Sequence, residues 1–203
     1  MSRTSIEDVH KNIIEGMINE ALAKAADSMG KMLKIRMSPD LIDYGIGRLH
    51  KVREFDDLGR FRVNLMKVAF KGEICGAFYF VINTPEMELI NKVCLPDEIT
   101  EGRSSVNKMM KHDFMSEIEN LIASQSIAAL SDFLGVQLLG EVPLVRIIKG
   151  ELVNDYLENE NDQVKTQFFV KANLKGVAVN ISPYFLWMID ENFMKVSRLN
   201  IVT

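Results

Sequence analysis

Four polar side chains, Asp113, Glu117, Asn120 and Ser124, follow one another at intervals of four, three and four residues. On a helix this spacing stacks them along a single face. A carboxylate there can hold a partner's lysine, and a carboxamide beside it carries both donor and acceptor atoms, so it can orient a water molecule without a shifted pKa. Phe114, Ile118, Leu121 and Ile122 fall on neighbouring or opposite faces and can anchor such a helix to a sheet. The chemistry within reach is the holding of a cation and the aiming of a water. The ordinary solvated face of an amphipathic helix has the same spacing, and spacing alone does not separate the two.

Other arrangements exclude themselves. Ser104 and Ser105 with His112 make no triad, because nothing places a carboxylate behind the histidine and no nucleophile elbow occurs. Gly72 and Gly76 belong to neither of the two common phosphate-loop patterns. His10, His50 and His112 are scattered, and Cys75 and Cys94 lack zinc-site spacing, so no metal site is expected and both cysteines read as buried free thiols. The net charge is −4 and no basic stripe is present, which excludes nucleic acid as a partner. The first ten residues are polar, and no apolar run approaches the roughly 18 residues needed to span a bilayer. A cytoplasmic protein without membrane insertion is expected. The twelve methionines are spread over apolar faces, where filling of core gaps is the main expectation; Met109 and Met110, beside Lys108 and Lys111, could border a docking surface next to Glu117.

The elements that must position the polar strip can be read along the chain. Val9, Ile13, Met17, Ile18, Leu22, Ala25 and Met29 recur at close to helical period, predicting a helix over residues 5–28 with Ser5 as N-cap and Gly30 as a left-handed C-cap. Residues 32–37 alternate like a strand and stop at Pro39. Strands over 61–70 and 74–83 flank a Lys71–Gly72–Glu73 turn suited to a hairpin, and Thr84 and Pro85 open a helix. After a linker over 96–105 comes a long helix over 105–134, stopped by Gly135, then strand-like stretches over 136–139 and 142–148. A polar loop is expected over 154–162. A second hairpin is expected from 167–174 and 177–181 around Lys175 and Gly176, with Ser182 and Pro183 opening a final helix that holds Tyr184, Phe185, Trp187 and Met188.

The order repeats. An offset of 105 residues places Gly30 on Gly135, Asp27 on Asp132, Ala23 on Ala128 and Leu33 on Leu138. The 203 residues are therefore expected to form one α/β (α+β) domain with pseudo-twofold symmetry. Its pseudo-repeats cover about 5–97 and 105–203, and its largely antiparallel sheet is flanked by two long helices.

Asp113, Glu117 and Asn120, followed after twenty-two residues by Pro143, resemble the signature of the CheC/CheX/FliY family of response-regulator phosphatases: an acidic residue or serine, three residues, Glu, two residues, Asn, twenty-two residues, Pro. The helix end over 128–135 and the stretch from Lys71 to Pro85 are also similar to that family. The resemblance implies a division of labour. Glu117 would engage the conserved lysine of a phosphorylated CheY-type receiver domain. Asn120 would enter the receiver's active site and position water for in-line attack on the phosphoaspartate, with no covalent enzyme intermediate. The Mg²⁺ would belong to the receiver, and the chain would need no cofactor of its own. Asp113 and Ser124 are accessory binding positions on the same strip, Pro143 is structural, and a CheD-like deamidase is a further partner brought by the resemblance.

The first half departs from the signature. Asp8, Asn12, Glu15 and Ser38 stand where Asp113, Glu117, Asn120 and Pro143 would fall, so Glu and Asn are exchanged. A carboxylate facing a phosphoryl group is repulsive, and this second site is expected to be degenerate and inactive. Two rival readings share the fold: an assembly module like the middle domain of FliM in the flagellar switch, and a receiver-binding domain that has lost hydrolysis. A monomer is the expected state, although an exposed sheet edge could pair.

Overall fold

The structure, a computed structural model, describes residues 6–47, 52, 55, 58–160 and 167–201. Seven strands form one sheet: β1 (Met37–Gly47), β2 (Arg62–Gly72), β3 (Gly76–Asn83), β4 (Leu138–Gly140), β5 (Leu144–Lys149), β6 (Gln167–Gly176) and β7 (Tyr184–Asp190). Among the described residues six α-helices accompany them: α1 (Ile6–Leu33), α2 (Thr84–Cys94), α3 (Asp97–Thr100), α4 (Ser105–Leu134), α5 (Val153–Glu160) and α6 (Asn192–Ile201). The sheet order is β1-β6-β7-β3-β2-β4, with β5 also on β2, and every pairing is antiparallel. Read from its centre, between β7 and β3, the order is a palindrome. β6 answers β2 and β1 answers the β4–β5 edge, as a pseudo-twofold repeat requires.

The long helices lie together. α1 packs on α4 and on β1, and α4 packs on β4 and β2. Ile18, Leu22, Met29, Ile118, Ile122 and Leu130 from these helices bury completely against Phe78, Phe80, Phe185 and Trp187 of the central strands. Each such side chain stabilises the fold by about 1.5–3 kcal/mol relative to exposure. A second core fills the opposite face, where Val52, Phe55 and Leu58 with Val153 and Leu157 of α5 cover Val63, Tyr79, Leu186 and Met188.

Several expectations need correction. α1 does not stop at Gly30; it runs to Leu33, and the left-handed residue is Lys34, with φ 54°. Gly30 serves a close approach instead, since a Cβ there would lie 2.8 Å from the carbonyl oxygen of Ile35. Residues 32–36 are the helix end and turn rather than a strand. β1 begins at Met37 and passes through Pro39, which an edge strand tolerates because an outward-facing N–H is dispensable there. The expected loop over 154–162 contains α5, up to residue 160, with residue 161 onward outside the described residues. Asn154 is buried there, its side chain accepting from the backbone N–H of Val52 (2.8 Å) and donating to the Val52 carbonyl (3.1 Å). Residues 177–181 form no strand, and Ser182 and Pro183 precede β7, not a helix. Phe185, Trp187 and Ile189 enter one core while Leu186 and Met188 enter the other. That is the continuous apolar run of a central strand, which periodicity alone cannot distinguish from a buried helix. The helix matching α2 is α6, whose first residues are held where Asp190 accepts from the backbone N–H of Asn192 at 3.1 Å. Cys75 is exposed and Cys94 half-buried, not both buried. The Ser5 cap lies outside the described residues.

Candidate functional site

α4 carries the predicted strip, and its ends show why the helix forms here. Ser104 caps the N-terminus, its hydroxyl accepting from the backbone N–H of Asn107 at 3.1 Å. Gly135 ends it in the left-handed region at φ 63°, and the following Val136 N–H closes on the Ser131 carbonyl at 3.1 Å. Between these caps Met115, Ile118, Ile122 and Leu130 are buried, whereas Asp113, Glu117, Asn120 and Ser124 are all exposed. The scaffold thus fixes the helix through its apolar side and leaves the four polar side chains facing outward. Glu117 and Asn120 stand one turn apart, an axial step of about 4.5 Å. Among the described residues neither is held in a side-chain hydrogen bond or an ion pair, so the carboxylate and carboxamide keep their full capacity for a partner. Asp113 has only the neighbouring His112, 3.6 Å away.

Asn120 and Ser124 form one wall of an open groove of about 300 Å³ whose opposite side is Leu138, Gly140 and Glu141. Glu141 is paired with Lys71 at 3.2 Å, so a compensated ion pair stands at the groove mouth. Pro143 lies at the break between β4 and β5. Both strands pair with β2, but the register slips by one residue, from Phe70 opposite Gly140 to Lys67 opposite Leu144. Lacking an N–H, Pro143 cannot bond to β2 there, and the extra residue makes a bulge beside the groove.

The first repeat presents a different surface. Asn12 is exposed, and Glu15 is half-buried and accepts a hydrogen bond from the Tyr44 hydroxyl of β1 at 3.2 Å. The side chain of Asp8 lies outside the described residues. The groove near the end of α1 is lined by Ala23, Asp27, Gly30, Lys31, Lys34 and Arg36 among others; Asp27 pairs with Lys31, and the three cations against one carboxylate leave it net positive where its counterpart holds Asn120 and Glu141. Tyr44 was not legible as a partner for Glu15, because the contact joins a helix to a strand 29 residues away.

Glu119 was missed as well. It sits within the signature segment, yet it is 1% exposed, and neither of its carboxylate oxygens has a hydrogen-bond partner. Burial pushes its pKa up to about 9. Among the described residues no group of three or more His, Cys, Asp or Glu side chains is placed to hold a metal, and no helix is long and apolar enough to cross a membrane.

A palindromic antiparallel sheet with a pair of packed long helices on one face, one of them carrying an exposed Glu/Asn pair, defines a two-repeat α/β class. The fold is that of the CheC/CheX/FliY chemotaxis proteins. FliY from Thermotoga maritima superposes with a TM-score of 0.68 at 14% identity, covering 96% of each chain. The CheX–CheY–BeF3–Mg²⁺ complex from Borrelia burgdorferi matches with a TM-score of 0.55 at 16% identity, over 85% of this chain and 97% of that one. FliM in its complex with SpeE from H. pylori matches with a TM-score of 0.56 at 9% identity, over 97% and 95%. No protein-family model and no curated protein matches the sequence.

Proposed function

We propose that this chain is a phosphatase that stimulates hydrolysis of the phosphoaspartate of a CheY-type receiver domain in chemotaxis or a related two-component pathway. The observation carrying this reading is the free Glu117 and Asn120 pair, one turn apart on the outward side of a helix whose opposite side is buried through Met115, Ile118, Ile122 and Leu130. In the proposed complex Glu117 holds the receiver's lysine, and Asn120 accepts from and donates to the attacking water, setting it in line with the scissile P–O bond. Water supplies the nucleophile, the receiver's Mg²⁺ offsets phosphoryl charge, and the aspartate carboxylate leaves. Asp113 and Ser124 border the contact. The structural likeness to a CheX solved together with CheY supports a receiver as the partner. Residence in the cytoplasm follows from this reading, and a CheD-like deamidase is its second partner, checked by direct binding in solution.

The test is the decay of a phosphorylated CheY-type receiver with Mg²⁺, alone, with wild-type protein, and with the Glu117→Ala, Asn120→Ala double variant. Acceleration by the wild type that drops about 100-fold or more in the double variant supports the assignment. Unchanged decay alongside binding of the phosphorylated receiver would instead establish an interaction module, the reading favoured by the likeness to FliM.

A further inference from the structure

Glu119 immediately precedes Asn120 but turns to the buried side of α4. The offset of 105 residues that joins the repeats places it on Ile14, which is also buried. An acid therefore occupies a position that the first repeat fills with hydrocarbon. Removing a carboxylate from water without a counter-charge is so unfavourable that such a group keeps its proton. The elements packed on α4 are α1, α3, α6, β2 and β4. On α1, Glu15 is bonded to Tyr44, Lys24 to Glu20 and Lys31 to Asp27. On β2, Lys67 is bonded to Glu160 and Lys71 to Glu141, and on α6 Lys195 is bonded to Asn192. Lys11, Arg62, Asp97 and Glu98 are exposed and β4 carries no charge; on α4 itself Lys108, His112, Asp113, Glu117 and Asp132 are exposed, and half-buried Lys111 donates to the Thr100 carbonyl. No described charge acts on Glu119; burial alone governs its proton.

We propose that Glu119 is a proton-held positioning residue: as the neutral acid it lets α4 seat against its neighbours, and loss of the proton loosens that packing and displaces Glu117 and Asn120. The packing half stands on the burial of an unpartnered acid, and the half concerning Glu117 and Asn120 rests on the phosphatase reading.

The test uses the full chain as wild type, Glu119→Gln and Glu119→Ile. The Glu119 side-chain carboxyl is titrated by carbon NMR in the wild type, thermal midpoints are recorded from pH 5 to 10, and receiver dephosphorylation is followed over the same range. The expected titration midpoint is about 9. The wild-type thermal midpoint should fall against that of Glu119→Ile by about 10 °C between pH 5 and 9. The alkaline loss of dephosphorylation should be absent in Glu119→Gln. An ordinary carboxyl titration, or parallel stability profiles in wild type and Glu119→Ile, overturns the proposal, and the wild-type titration decides even if neither variant folds. Raised titration with an activity profile shared by wild type and Glu119→Gln refutes the positioning half. Raised titration with no dephosphorylation at any pH would sink the phosphatase reading and the positioning half together, leaving the proton-held packing intact.

Discussion

At the scale of single residues, Asn120 and Glu15 occupy equivalent helix positions with opposite consequences. Asn120 is free to meet a partner, whereas Glu15 is engaged by Tyr44. Asn120→Asp should abolish receiver dephosphorylation by turning a second anion toward the phosphoryl group, while leaving the thermal midpoint unchanged; retained activity would show that the carboxamide is not used. Tyr44→Phe should cost about 1 kcal/mol in denaturant unfolding and leave dephosphorylation unaffected, because the bond it removes belongs to the repeat without the signature. Cys75 should be alkylated readily by a thiol reagent in the native protein. Cys94 should lag, since it is half-buried and burial pushes its thiol pKa up. The strip on α4 was legible because spacing and residue type are local properties. Glu119 was not: alternation of burial around a helix depends on what packs against it, and a glutamate in an otherwise polar segment looks solvent-facing until α1 and the sheet are in place.

Among elements, α4 shows how much can be read from caps. Gly135 stops the helix as expected, while the Ser104 cap emerges from the structure, and Gly135→Ala should destabilise the protein by about 1–2 kcal/mol in denaturant unfolding, because alanine resists the left-handed conformation held there. Ile118→Ala, which opens a cavity behind the Glu117 and Asn120 face, should cost about 2–5 kcal/mol by the same measurement. The hairpin of β2 and β3 and the helix after it were equally legible, since alternation, a Gly-containing turn and a Pro in the first helical turn agree, although the cap is Asn83, which accepts from the Glu86 N–H, and not Thr84, whose hydroxyl donates to the Arg62 carbonyl. Where reading failed, a tertiary contact had decided the outcome. The run from Tyr184 to Asp190 has no amphipathic period because β7 is buried on both faces, and α5 looked like a loop because its stabilising contacts, through Asn154, Val153 and Leu157, come from residues far along the chain.

For the molecule as a whole, the proton on Glu119 ties stability to pH. Its pKa in the folded protein, about 9, exceeds the ordinary 4.5 of the unfolded chain, so between these values the folded state retains a proton that the unfolded state has released. Folding stability is greatest below about pH 4.5 for this group, declines by about 1.4 kcal/mol per pH unit, and has lost that contribution once the pH has risen through about 9. Chemical denaturation at pH 6 and pH 8 should therefore differ by about 3 kcal/mol in the wild type and by much less in Glu119→Ile.

The palindromic sheet also has two ends, and each contains a proline: Pro39 in β1, close to a register shift between Leu41 and Asp43, and Pro143 in the bulge between β4 and β5. An uninterrupted outer strand would be a template on which a second molecule could add its own strand, and a third after that, growing into an insoluble ribbon. The prolines break that template at both margins, so a crowded solution of this protein should stay clear where a Pro39→Thr, Pro143→Thr variant would begin to scatter light.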